Sequence, residues 1–276
     1  GIQPARVALM KPEAVVMHDF AITEHHVVFM DSPMVLDVMA ALNGDPMFRW
    51  DPDHQTRVGV MRRDGQEVTW HETEAAYVNH FWNAWEDDGV ITFAGSRLEG
   101  VAYTAGKDGA MDREGADAEA GLPTRYKVDL ATGEVRVEQF DDMGGDFPRI
   151  NDAYCGVRSR YHYMGGFRGR ATIIGHFDTV VKYDDATGDR STWYCGPDSI
   201  TGEAVFAPHP DGTAEDDGWL LACVTDRVND TTDLVVLDAR DVTAGPVARV
   251  HMPRRLPFGF HGNWFPDRDD AQALAG

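Results

Sequence analysis

The chain has 276 residues, 43% hydrophobic and 26% charged, and its 25 Lys and Arg against 46 Asp and Glu leave a net charge of −21. That balance argues against nucleic acid or an anionic membrane surface as a partner, because both are met by neutralising Lys and Arg. Cys155, Cys195 and Cys223 are too few for a disulfide framework and none lies in a C-x-x-C, and no apolar run reaches the roughly 18 residues of a membrane-spanning helix.

Residues 13–18 (EAVVMH) and 25–30 (HHVVFM) read as strands, rich in β-branched and apolar side chains. Residues 34–42 (MVLDVMAAL) read as a short helix ending before Asn43 and Gly44. Runs at 57–62 and 67–70 flank Arg63-Asp64-Gly65, a hairpin signal, and a further strand covers 90–94. Residues 103–121 are rich in Gly, Ala and acids, carry no apolar period, and read as a surface insertion loop. The run 126–140 turns at Ala131-Thr132-Gly133, a strand follows at 172–176, and 179–195 turns at Ala186-Thr187-Gly188. Strands at 204–207, 218–225 and 233–238 complete the series. Short strands joined by Asp and Gly turns make the fold all-β: a sandwich, barrel or propeller. No Rossmann glycine pattern, P-loop or G-x-S-x-G follows a strand, so dinucleotide, kinase and serine-hydrolase chemistry find no support. The chain opens on Gly1 with no signal-peptide pattern, and a cytoplasmic location is expected.

The 11 histidines divide by context. His25 and His26 would face opposite sides of a strand and so cannot easily share one ion. His54 lies in a polar turn and His71 among acids, and these four read as structural or solvated. His162, His176, His209 and His251 carry no assignment. Three others stand in unusual company. His18 ends a β-branched run, His80 opens an aromatic stretch (HFWNAWED), and His261 sits between Gly259 and Gly262, where the backbone can approach closely. Histidines on widely separated segments are what a site at the centre of a radial β fold requires.

These segments resemble the carotenoid cleavage oxygenase family, which includes the lignostilbene dioxygenases and the retinoid isomerase. "MHDFAITE" at 17–24, "HFWNAWE" at 80–86 and "LPFGFHGNW" at 256–264 are similar to its iron-ligand blocks, with supporting blocks at 48–65, 146–163 and 208–224 in the family's order. The resemblance implies a seven-bladed β-propeller under a dome of loops, with Fe(II) held by four histidines, three of which fall on His18, His80 and His261. It implies acidic partners for the ligands: Glu215 for His261, and Asp146, where the family has glutamate, for His80. Phe147, Phe260 and Trp264 become candidates for an apolar substrate tunnel, while Arg149 reads as a structural ion-pair residue.

The implied reaction uses dioxygen to cleave a C=C bond of a hydrophobic conjugated alkene, a carotenoid or apocarotenoid, into two carbonyl products. A phenolic lignostilbene is the alternative substrate, and a non-catalytic β-propeller scaffold is the alternative from another class. No block for the fourth histidine lies in residues 1–17. The chain is therefore expected to be an N-terminally truncated, single propeller-like domain over 1–276, a partial propeller of about four blades. Its missing N-terminal blades would then be absent or supplied by another chain, and the chain alone is expected to be inactive.

Overall fold

The computed structural model describes residues 14–45, 47–100, 120–168 and 176–266. The insertion expected over 103–121 and the strand expected over 172–176 lie outside the described residues except at their C-terminal ends. The chain divides into two compact units, one of Gly1–Gly144 with Cys155–Arg158 and Arg170–Ile173, the other of Gly145–Tyr154, Ser159–Gly169 and Ile174–Gly276.

The first unit begins with β1 (Ala21–Ile22), β2 (His26–Asp31), β3 (Met34–Leu36), β4 (Phe48–Trp50), β5 (Arg57–Arg62) and β6 (Val68–Glu72). Strands β1, β2, β5 and β6 pair as one antiparallel sheet, and β3 and β4 form a two-stranded ribbon inserted between β2 and β5. Next, β7 (Tyr77–Asp87), β8 (Val90–Leu98), β9 (Leu122–Asp129) and β10 (Val135–Gln139) form a four-stranded meander. Alternation puts Val28, Met30, Val58 and Val60 on one face, where they share a core with Val78, Ile91, Phe93 and Tyr126. The Phe93 and Tyr126 rings stack 4.9 Å apart, and burial holds the Tyr126 phenol well above its ordinary pKa.

In the second unit, β11 (Gly145–Arg149), β12 (Tyr161–Gly166), β13 (Thr179–Asp184) and β14 (Asp189–Tyr194) form one meander. A second meander contains β15 (Ser199–Pro208), β16 (Gly218–Asp226), β17 (Thr231–Asp238) and β18 (Pro246–His251). Tyr163, Val180 and Trp193 meet Phe206, Leu220, Val224 and Leu237 in its core. Past Met252 the chain runs to Pro266 as a strap without helix or strand.

The hairpin tips form as their residues dictate. Asp129 Oδ1 accepts from the amides of Ala131 and Thr132, each at 2.9 Å, and Gly133 takes φ +78°. Asp184 accepts from Ala186 N at 3.0 Å, with Gly188 at φ +76°. Aspartate thus closes the turn and glycine takes the left-handed position that follows.

Two expected elements differ. Residues 34–42 split into strand β3 and a helix, α1 (Val38–Leu42), because Asp37 accepts from Ala40 N at 2.9 Å and starts the helix four residues late. Residues 14–20 are extended, but only Val15 bridges, to Val35, and the chain leaves the ladder before His18.

Gly165 on β12 lies against the fully buried Phe177, whose ring a Cβ at position 165 would overlap. We expect Gly165→Ala to cost about 1–3 kcal/mol through overpacking, read as a lower midpoint in urea denaturation.

Candidate metal centre

His18 precedes β1, and His80 lies on β7, an edge strand of its sheet. The β7–β8 register slips between Val78 and Phe81 and again between Phe81 and Asn83. A bulge turns side chains off the regular alternation and leaves an amide without its ladder partner. Asp19 meets that need: its Oδ2 accepts from Phe81 N at 3.0 Å and its Oδ1 from its neighbour Phe20 N at 2.8 Å. One carboxylate thereby pins the His18 segment to the bulge carrying His80, and the two imidazoles meet edge to face with centroids 4.9 Å apart. Asn79 Nδ2 lies 3.1 Å from His80 Nδ1, and the Tyr77 hydroxyl donates to Asn79 Oδ1 at 3.0 Å. Asn83, three residues on, accepts from Gly156 N at 3.0 Å and donates to Val157 O at 2.8 Å, holding that loop in the first unit. Glu86 serves a different histidine, accepting from His26 Nδ1 at 2.6 Å and from His25 N at 2.8 Å.

In the second unit His261 belongs to the strap. Its Nδ1 lies 3.2 Å from Glu203 Oε1, while Glu203 Oε2 accepts from Gly262 N at 2.7 Å. Glu203 sits on β15 where the register shifts between Thr201 and Ala204, and its side chain is only 5% exposed. Phe147 packs against the His261 ring at 4.8 Å and against Phe177 at 5.2 Å, and it too stands in a register break, between Asp146 and Arg149. Its φ of +56° is in the left-handed region, uncommon for an aromatic residue. Asp146, beside it, is buried on β11.

The expected role of Glu215 is corrected. Its carboxylate accepts from Arg160 N at 2.8 and 3.0 Å and from Tyr161 N at 2.8 Å, so it caps the start of β12. Glu203 is the acid on His261. It carries a legible signal: Gly202 stands inside a strand, as at a bulge, directly before the acid Glu203 and the apolar run Ala204–Ala207.

An apolar cleft of about 370 Å³ lies beside His261 in the second unit, lined by Val205, Leu221, Cys223, Leu234, Leu256, Phe258 and Phe260 among others. Burial pushes the Cys223 thiol pKa up, so it lines the cleft as a neutral group. Of the three tunnel candidates Phe260 lines this cleft; Phe147 is buried at its ring contact with His261, and the exposed Trp264 lies further along the strap.

His18 and His80 stand together in the first unit and His261 stands on Glu203 in the second, and each offers an imidazole of the kind that suits a metal ion. The family described as retinal pigment epithelial membrane protein matches residues 3–266. The chain belongs to the carotenoid cleavage oxygenase family. It is 32% identical over 297 residues to the carotenoid cleavage oxygenase of Mycobacterium tuberculosis, covering 91% of this chain and 58% of that protein. With the lignostilbene-alpha,beta-dioxygenase isozyme III of Sphingomonas paucimobilis it shares 31% identity, over 92% of this chain and 55% of the relative. Cobalt-substituted Synechocystis ACO superposes with a TM-score of 0.81 at 27% identity, covering 91% of this chain and 53% of that one. The four four-stranded antiparallel sheets are thus a partial β-propeller of this family. The chain spans about half the length of the curated relatives it matches, 58% and 55% for the two just named. No helix among the described residues is long and apolar enough to cross a membrane.

Glu86 supplies a pH test of the first unit. Burial pushes its carboxyl pKa up, but the hydrogen bonds from the His26 ring and the His25 amide outweigh this and hold it below its ordinary 4.5. A depressed folded pKa contributes stability above the unfolded value and loses it as the pH falls through the folded one. The stability gap between wild type and Glu86→Gln in urea should therefore be full above about pH 5 and close as the pH falls below the ordinary carboxylate value.

Proposed function

We propose that this chain carries three of the ligands of a non-haem Fe(II) dioxygenase that cleaves a C=C bond of a carotenoid or apocarotenoid. In this reading His18, His80 and His261 bind one ion. The observation that carries it is the division of labour at His261. With Nδ1 directed at the Glu203 carboxylate, the ring is oriented so that Nε2 would be its ligand atom. Imidazole suits Fe(II), and three neutral donors leave the ion's charge uncompensated. The donor set therefore fits iron, which when bound would supply the activation of dioxygen that protein side chains cannot.

The chain's own residues would do the rest. Glu203 fixes the orientation of His261, and Asp19 ties His18 to the strand of His80. Asp146, buried and one methylene shorter than the family's glutamate, is proposed as the acceptor for His80. The apolar cleft beside His261 would take a length of polyene, with Phe147 closing one side of the ring. In the overall reaction the C=C bond breaks and each carbon receives one oxygen atom of O₂, so no further reductant is consumed. A phenolic stilbene is the second reading, supported by the identity to the Sphingomonas enzyme.

Metal analysis after anaerobic loading with Fe(II) tests the proposal. Wild type should retain about one iron per chain, and His261→Ala and His80→Ala far less, as loss of a ligand from a three-histidine site demands. Wild type without iron, or variants that keep it unchanged, would sink the assignment. Incubation with an apocarotenal and a hydroxystilbene under ¹⁸O₂ separates the substrates: label in both aldehydes from one substrate alone identifies it.

A further inference from the structure

We propose that Arg149 is the positioning residue that latches the strap and so sets the place of His261. The inference rests on the iron-binding reading above for its purpose, but its geometry lies wholly within the second unit. Glu203 grips the strap at the His261 ring and at Gly262 N, and Phe147 packs on the same ring. The next residue, Asn263, supplies a second hold: its Oδ1 accepts from Arg149 Nη2. Arg149 Nη1 lies 3.8 Å from Glu203 Oε1. One guanidinium therefore spans the acid that orients the ligand and the residue two beyond the ligand.

The planar fork makes this possible. Its two terminal nitrogens diverge at a fixed angle, whereas a lysine ammonium is one point that cannot serve both partners. The pair is also shielded, with the Arg149 side chain 19% exposed and Glu203 5%, so water competes weakly for the same donors. Arg149 stands at the close of the register break that holds Phe147, and its Nη2 reaches the strap. Apart from the Phe147 ring on His261, further anchors lie earlier in the strap: Leu256 N donates to Thr232 Oγ1 at 3.2 Å, and the Phe258 ring meets His176 at 4.3 Å.

The test uses Arg149→Met, which keeps the apolar stem, Arg149→Lys, which keeps the charge, and Asn263→Ala, an exposed position. Cobalt(II) affinity would be read from the visible d–d band, and amide exchange across residues 256–264 on metal-free protein. Arg149→Met and Asn263→Ala should each weaken cobalt binding about tenfold, the scale of losing a group that orients a ligand. Exchange at Gly262 should quicken in both, the double variant should lose no more than the larger single, and Arg149→Lys should not restore the wild-type values. Unchanged affinity and exchange in Asn263→Ala, additive losses, or full rescue by lysine would overturn the latch. If Arg149→Met fails to fold, Asn263→Ala decides alone. If wild type takes up neither cobalt nor iron, the functional reading fails, while the exchange comparison still decides whether the latch exists.

Discussion

The antiparallel ladder imposes the constraint on which this molecule turns. Side chains along a strand alternate between faces, and in each unit one face is spent on a core. A residue that must leave that alternation needs a break in register, and such a break orphans backbone groups. Three of the breaks fall where the site residues are: between Val78 and Asn83 around His80, between Asp146 and Arg149 at Phe147, and between Thr201 and Ala204 at Glu203, while one between Val236 and Leu237 carries none of them. Each of these three lies on the first strand of its sheet, at an edge, where a slip disturbs only one neighbour.

The acid surplus acquires a structural meaning from the same constraint. Asp19, Glu86, Glu203 and Glu215 each accept from at least one backbone amide that the ladder does not serve, and each uses its second oxygen, or a second amide, to fix another segment. A carboxylate with two oxygens is suited to joining two chain segments at one point. Part of a composition that reads as a charged surface is therefore internal fastening. The buried Asp31, taken by Arg57 at 2.6 Å and His54 at 2.9 Å, is a further instance.

Local physics was legible in the sequence, and geometry that crosses the chain was less so. The hairpins at 129–134 and 184–189 could be read because an aspartate and a glycine at fixed spacing determine the turn by themselves. The grouping of His18, His80 and His261 came from resemblance; no local spacing announces it, since 62 residues separate the first two. Motif order points to Glu215 because it places an acid near the right block, while the deciding fact is which carboxylate the strap reaches, and that is Glu203. Strand β18 is not legible in the sequence: its residues are exposed at nearly every position, so the periodicity that marks a half-buried strand is missing. The start of the helix was misread because a single side chain, Asp37, competes with the preceding backbone.

Phe147 has a consequence beyond its packing. A residue held at φ +56° cannot be exchanged freely, because β-branched side chains clash with their own backbone there. Valine and isoleucine, the usual means of trimming an apolar wall by a few carbons, are thus penalised at the one ring that touches His261 from β11. A replacement for Phe147 has to tolerate that φ as well as fill the space between His261 and Phe177. The backbone, and not only side-chain volume, therefore limits which residue can stand against the His261 ring.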